Sequence, residues 1–192
     1  FSSQTIQKVR NFYGIVSVYE FSTGIDQYRV MQHGLVTHGI QAKNFPKRLQ
    51  PASYFGEKSG IGRAFQLLKP ENNRHIGILG LGIGSLAGYG KKGDRFRFYE
   101  INPAVRDIAC GSNFTYLAET KAKVEIVLGD GRISLEREKN QKFDLLVMDA
   151  FTGGTIPVHL LTKEAFEIYF RHLKPGGIIA INISNRHFNF IP

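Results

Sequence analysis

Two textures of hydrophobic patterning divide the chain. Residues 12 to 41, "FYGIVSVYEFSTGIDQYRVMQHGLVTHGIQ", alternate apolar and polar positions, with Gly24, Gly34 and Gly39 as punctuation. That pattern predicts two to four short antiparallel strands. A loop containing Pro46 and Pro51 follows, and "IGRAFQLLK" then has helical spacing that stops at Pro70. From His75 short apolar runs replace the alternation. "HIGILGLG", "RFRFYEI", "KVEIVLGDG", "FDLLVMDAF" and "IIAINISN" predict five strands. Between them "SLAGYGKKGD" reads as a helix start and turn, and "NPAVRDIA" as a helix with Pro103 at its first position. "TKEAFEIYFRHLK" is an amphipathic helix closed by Pro175-Gly176-Gly177. Strands alternating with helices predict βαβ units and a mostly parallel sheet with right-handed crossovers. The expectation is an α/β chain with a small β-rich N-terminal domain over residues 1–55. A Rossmann-like, nucleoside-binding core over 56–192 completes it.

With 192 residues, 42% hydrophobic and 21% charged, the chain has the composition of a globular protein with a substantial core. Its one cysteine, Cys110, excludes an internal disulfide, fits a reducing, cytoplasmic setting, and reads as a small residue at least partly buried. No apolar run reaches the ~18 residues of a membrane span. The chain opens on Phe1 and stops at Pro192, just after a strand, and so reads as a piece of something longer; a membrane segment would have to lie outside it. The net charge of +9 favours anionic partners, but the cations are scattered, with short clusters at Lys47-Arg48 and Lys91-Lys92. No arginine-rich or aromatic-interleaved tract points to nucleic acid.

Three strand ends carry candidate chemistry. "GLGIGS" places Gly80, Gly82 and Gly84 between a strand and a helix, where glycine admits positive φ and close approach of a ligand. Tight strand-to-helix packing is the plainer reading of the same loop. Glu100 ends the next strand, 20 residues beyond Gly80, where a carboxylate accepts from ribose hydroxyls. Asp130, followed by Gly131, ends the third strand, placed to accept from an adenine amino group. The G-x-G-x-G spacing departs from the dinucleotide G-x-G-x-x-G and is the form common in S-adenosylmethionine-type sites. Asp149 ends the fourth strand at the same crevice, directly before a glycine pair. A carboxylate there orients an ammonium and accepts its proton as nitrogen attacks the carbon beside a sulfonium. Its plainer reading is a cap on the loop.

Other residues have structural readings. His33 and His38, five apart on one strand, would fall on opposite faces, and no Cys/His partner set accompanies them, so no metal is expected. His159 and His172 are expected on helix surfaces. "GEKSG" lacks the phosphate-loop order.

Taken together, "FYGIVSV", "MQHGLVTHG", "GLGIGSLAGYG", "FYEINPAV", "LGDGR" and "DAFTGGTIPVHLLT" resemble the spermidine synthase (polyamine aminopropyltransferase) family. They are most like the spermidine-synthase-like domains that are sometimes fused to membrane segments. The resemblance implies a methyltransferase-type core whose sheet is completed beyond Pro192. It also implies decarboxylated S-adenosylmethionine, or S-adenosylmethionine itself, as the nucleoside, with a small-molecule amine as acceptor. Related enzymes are often dimers, which implies a homodimer. By this match Gly80, Gly82, Gly84, Glu100, Asp130 and Gly131 line the nucleoside site, Asp149 is the catalytic acid/base and Tyr54 helps at the amine end. The family's second aspartate is Thr152 here, its glycine-loop acid is Ile83, and its Tyr-Gln pair is Tyr13-Gly14. Two further readings therefore stand beside aminopropyl transfer: an S-adenosylmethionine-dependent methyltransferase, and a non-catalytic nucleoside-binding or structural domain.

Overall fold

The computed structural model describes residues 3–44, 46–68, 73–151 and 155–183. Thr152, the Gly153-Gly154 pair and Pro70 lie outside the described residues.

The alternating N-terminal stretch forms a four-stranded antiparallel meander: β1 (Ser3–Asn11), β2 (Gly14–Thr23), β3 (Asp26–His33) and β4 (Val36–Ala42). The first strand begins well before residue 12, where the expected strands started. Its residues are mostly exposed, so its burial contrast is the weakest of the four. Helix α1 (Gly60–Leu67) follows, with the Ser59 hydroxyl accepting from Gly62 N as its cap.

The second sheet has five parallel strands in the order β7-β6-β5-β8-β9: β5 (His75–Leu79), β6 (Arg95–Glu100), β7 (Lys123–Leu128), β8 (Phe143–Met148) and β9 (Leu173–Ile181). Every residue of β5 and nearly every one of β8 is buried, as expected of central strands covered on both faces. The intervening helices are α2 (Pro103–Cys110), α3 (Tyr116–Glu119), α4 (Gly131–Arg137) and α5 (Lys163–Arg171). Asn102, Asp130 and Thr162 cap α2, α4 and α5 through side-chain oxygens. One face of the sheet packs with the N-terminal meander, α1 and α2 through Val16, Val18, Met31, Phe65 and Ile108. The other packs against α4 and α5 through Leu135, Ala165 and Tyr169.

Residues Ser85–Tyr89, behind the glycine loop, form a short 3-10 helix entered from Gly84 in the left-handed conformation, in keeping with the expected helix start and turn. Three expectations need correcting. Pro175-Gly176-Gly177 does not close α5: β9 has already begun at Leu173, and those residues run along its solvent-facing start. His172 is not on a surface but fully buried, its Nδ1 accepting from Gln141 N. Cys110 is exposed.

Candidate active site

The chain runs outward from β5 to β6 to β7 and then returns to place β8 on the other side of β5. That reversal opens a crevice beyond the carboxyl ends of β5 and β8, where open α/β sheets bind ligands. Leu79 and Met148 are register partners, so the next residues, Gly80 and Asp149, face each other across the switch point. Gly80 has φ +99°, and a Cβ there would lie 2.5 Å from the Asp149 carbonyl oxygen. Only glycine lets these two strand ends come so close.

Asp149 is a strongly perturbed acid of the crevice. Desolvation pushes its carboxyl up to about 7, although a hydrogen bond from Asn182 Nδ2 to its Oδ1 (2.7 Å) works to lower it. Tyr54, 39% exposed, sits in the same field: desolvation first, and then the Asp149 charge, raise its hydroxyl. Asn182 was not singled out from the sequence. The parallel register pairs Met148 with Ile181, so the residue after β9 necessarily stands beside the residue after β8.

Glu100, at the end of β6, is 8% exposed. Burial raises its carboxyl, partly opposed by backbone donors: Asn102 N to Oε1 (2.8 Å) and Leu81 N to Oε2 (3.0 Å). Each oxygen thus accepts at least one protein N–H, with lone-pair capacity left on the carboxylate. That arrangement fits two vicinal ribose hydroxyls, while the Leu81 bond ties the glycine loop to β6. Asp130 is engaged twice, its Oδ1 accepting from Ile133 N as the α4 cap and its Oδ2 lying 2.9 Å from His159 Nε2. Gly131 lets α4 start against Leu79, whose Cδ2 would stand 2.7 Å from a Cβ at 131.

The other two loop glycines are required by the protein itself. A Cβ on Gly82 would lie 2.6 Å from the His38 carbonyl of β4, and one on Gly84 would lie 2.7 Å from Leu117. Between them Ile83 is wholly buried and points at Gly39, where a Cβ would come within 2.6 Å of its Cγ1. The N-terminal sheet therefore clamps the loop from outside. His33 and His38 are not on one strand: they face each other from β3 and β4, ring centroids 5.4 Å apart, below the loop. Burial, and then His33, lower His38 to about 4. Among the described residues no group of three or more His, Cys, Asp or Glu side chains could hold a metal ion.

No family model matches the chain. Among curated proteins it is 30% identical over 116 residues to a polyamine aminopropyltransferase of Vibrio vulnificus, covering 59% of this chain and 38% of that protein. It is 34% identical over 110 residues to an N-terminal histidine N-methyltransferase of Emericella nidulans, covering 55% of this chain and 19% of that one. In fold it is similar to the crystal structure of a probable spermidine synthase from Corynebacterium glutamicum, with a TM-score of 0.72 at 20% identity, over 95% of this chain and 64% of that one. The spermidine synthase of Thermotoga maritima gives a TM-score of 0.65 at 18% identity, over 92% and 56%. The chain thus spans less than two thirds of the length of these relatives. The resemblance carried by the motifs extends to sequence over more than half of the chain and to its fold, both of which are similar to those of the spermidine synthase (polyamine aminopropyltransferase) family.

Proposed function

We propose that the crevice binds decarboxylated S-adenosylmethionine and an amine, and that Asp149 serves the transfer of the aminopropyl group between them. The observation that carries this reading is the state of Asp149: a desolvated carboxyl with a pKa near 7, oriented by Asn182, at the topological switch point. An amine has to be held as an ammonium and then lose a proton, and a carboxylate of that pKa is poised to accept it at neutral pH. The nitrogen lone pair attacks the carbon beside the sulfonium. The carbon–sulfur bond breaks with its electrons going to sulfur, which leaves as neutral methylthioadenosine, and the proton passes to Asp149. Glu100 would hold the ribose, the loop from Gly80 to Gly84 together with Gly131 would leave room for the nucleoside, and Asp130 would accept from the adenine amino group. Tyr54 would close the amine end. The same reading includes the homodimer and the cytoplasmic setting implied by the family resemblance.

A second reading is supported by the similarity to a histidine N-methyltransferase: the same crevice taking intact S-adenosylmethionine and passing its methyl group to a nitrogen. Calorimetric titration with S-adenosylmethionine, its decarboxylated form and methylthioadenosine separates the two. Preference for the decarboxylated form, with methylthioadenosine released when an amine is added and none from Asp149→Ala, supports aminopropyl transfer. Preference for S-adenosylmethionine moves the assignment to methyl transfer. Failure of all three to bind sinks both.

A further inference from the structure

At the opposite end of the parallel sheet, beneath the amino ends of β5, β6 and β7, lies a cavity of about 460 Å³. It is of small-molecule size and far from the crevice along the strands. Its wall includes His75, Arg95, Lys123, Lys142 and Lys174 and, among the described residues, no carboxylate. The acids on the flanking segments are already engaged. Asp144 holds Lys174 Nζ at 2.7 Å and also accepts from His75 N, Glu125 pairs with Arg97, and Asp94 is locked to Arg74. Arg95, Lys123 and Lys142 form no ion pair among the described residues.

Three cations without an ion pair among the described residues line one concavity, although the Arg95 charge also acts on Glu125, and their like charge favours an anion there. The backbone adds a second, independent observation. Among the described residues only two non-glycine residues have positive φ, Asn73 at 74° and Lys142 at 54°, and both line this cavity. A lysine rarely adopts that conformation, and strain of this kind gathers at ligand sites. Gly93, φ +97°, completes the wall because a Cβ there would meet Asn73 Oδ1 at 2.7 Å.

We propose that this cavity binds an oligophosphate, a chain of phosphate groups carrying several negative charges, with Arg95, Lys123 and Lys142 as its cationic contacts. A linear phosphate chain matches several separated point charges better than a single carboxylate would, and lysine binds phosphate as a point charge. The site is separate from the nucleoside crevice and does not depend on the function proposed for it.

The test is calorimetry at low salt with inorganic tripolyphosphate and with ATP, on wild type, Lys123→Ala/Lys142→Gly, and a control lacking two scattered cations, Lys8→Ala/Lys58→Ala. Saturating methylthioadenosine is present throughout to occupy the crevice. The expected result is one-to-one binding of tripolyphosphate that weakens tenfold or more in the cavity variant and less than threefold in the control. Glycine at 142 relieves the positive φ, so the cavity variant should melt no lower than wild type, and its loss of binding cannot be ascribed to unfolding. Equal affinity for tripolyphosphate and ATP identifies the phosphate chain as the recognised group; tighter ATP binding identifies a nucleotide as the source. Absence of binding by both anions overturns the proposal, and so does an equal loss in the cavity variant and the control.

Discussion

Asn182 Nδ2 donates to Asp149 Oδ1 across 2.7 Å, joining the residue after β9 to the residue after β8. This hydrogen bond opposes the desolvation that lifts the carboxyl to about 7. Hydrogen bonds to charged groups contribute roughly 1.5–3 kcal/mol, and one pKa unit corresponds to about 1.4 kcal/mol. In the proposed transfer the rate declines as pH falls through the Asp149 pKa, because the protonated acid cannot take the amine's proton. Removing the donor in Asn182→Ala should move that acidic limb upward by about one pH unit. Asn182→Asp should move it further, by adding a like charge. The check is the pH dependence of methylthioadenosine release at saturating amine. An unmoved limb in both variants would mean that a different group governs it.

The family's glycine-loop acid has its counterpart at Ile83, and restoring it looks like the obvious route to a stronger amine site. The structure argues otherwise. Ile83 is fully buried and faces the open space left by Gly39, not the crevice. Ile83→Asp would put an unpaired carboxylate into the cluster that holds the N-terminal sheet to the core, at a cost of several kcal/mol, on the order of 3–5. Gly39→Ala should be destabilising for two reasons, its φ of +152° and the collision with Ile83 Cγ1. Urea titration should find both variants less stable, Ile83→Asp the more so. An Ile83→Asp protein as stable as wild type, with tighter amine binding, would show that the loop turns outward.

The alternating and continuous apolar patterns made both sheets legible, because burial on one face or on two leaves a direct trace in residue order. Glu100, Asp130 and Asp149 were singled out by one rule, that acids at the ends of apolar strands collect at one crevice, and Gly80 by the glycine-rich loop after its strand. Asn182 also stands at a strand end, after β9, but its partnership depends on which strand neighbours β8, and no local pattern encodes strand order. Gly82 and Gly84 were ambiguous for a related reason. A glycine kept for the His38 carbonyl or for Leu117 is indistinguishable in sequence from one kept for a ligand. His33 and His38 were misplaced on one strand although Gly34 reads as punctuation between them: the turn at Gly34-Leu35 sends them to β3 and β4.

Arg74 and Asp94 form the most enclosed ion pair among those described, with side chains 8% and 0% exposed. Asp94 accepts from Arg74 N and Nε and from Lys91 N. Burial alone would raise the Asp94 carboxyl, but these donors outweigh it and hold the pKa below the usual range. The pair fixes the start of the sheet, since Arg74 O accepts from Arg95 N and Asp94 O from Lys123 N. Asp94→Ala leaves a buried guanidinium without its counter-charge and should cost about 3–5 kcal/mol. Arg74→Met/Asp94→Leu should cost much less, because no lone charge is stranded. Denaturant midpoints of the two variants decide this, and equal losses would mean that the pair acts through packing alone.

His38 and Asp149 pull stability in opposite directions across the same pH range. The folded pKa of His38 is lowered to about 4, first by burial and then by His33. Between about 4 and 6.5 the unfolded chain therefore binds more protons at this site, and stability is lost as pH falls through that window. The folded pKa of Asp149 is raised to about 7. Between about 4 and 7 the folded chain binds more protons there, so stability is lost as pH rises. Each site contributes a slope of at most about 1.4 kcal/mol per pH unit, and in wild type the two largely cancel. His38→Gln should expose the Asp149 slope, giving a protein that weakens from pH 4.5 to 7. Asp149→Asn should expose the opposite slope and be more stable than wild type at pH 7.5 by a few kcal/mol. Urea unfolding at four pH values between 4.5 and 7.5 measures both. If the two variants kept the wild-type profile, neither group would be titrating in the folded protein as its surroundings require.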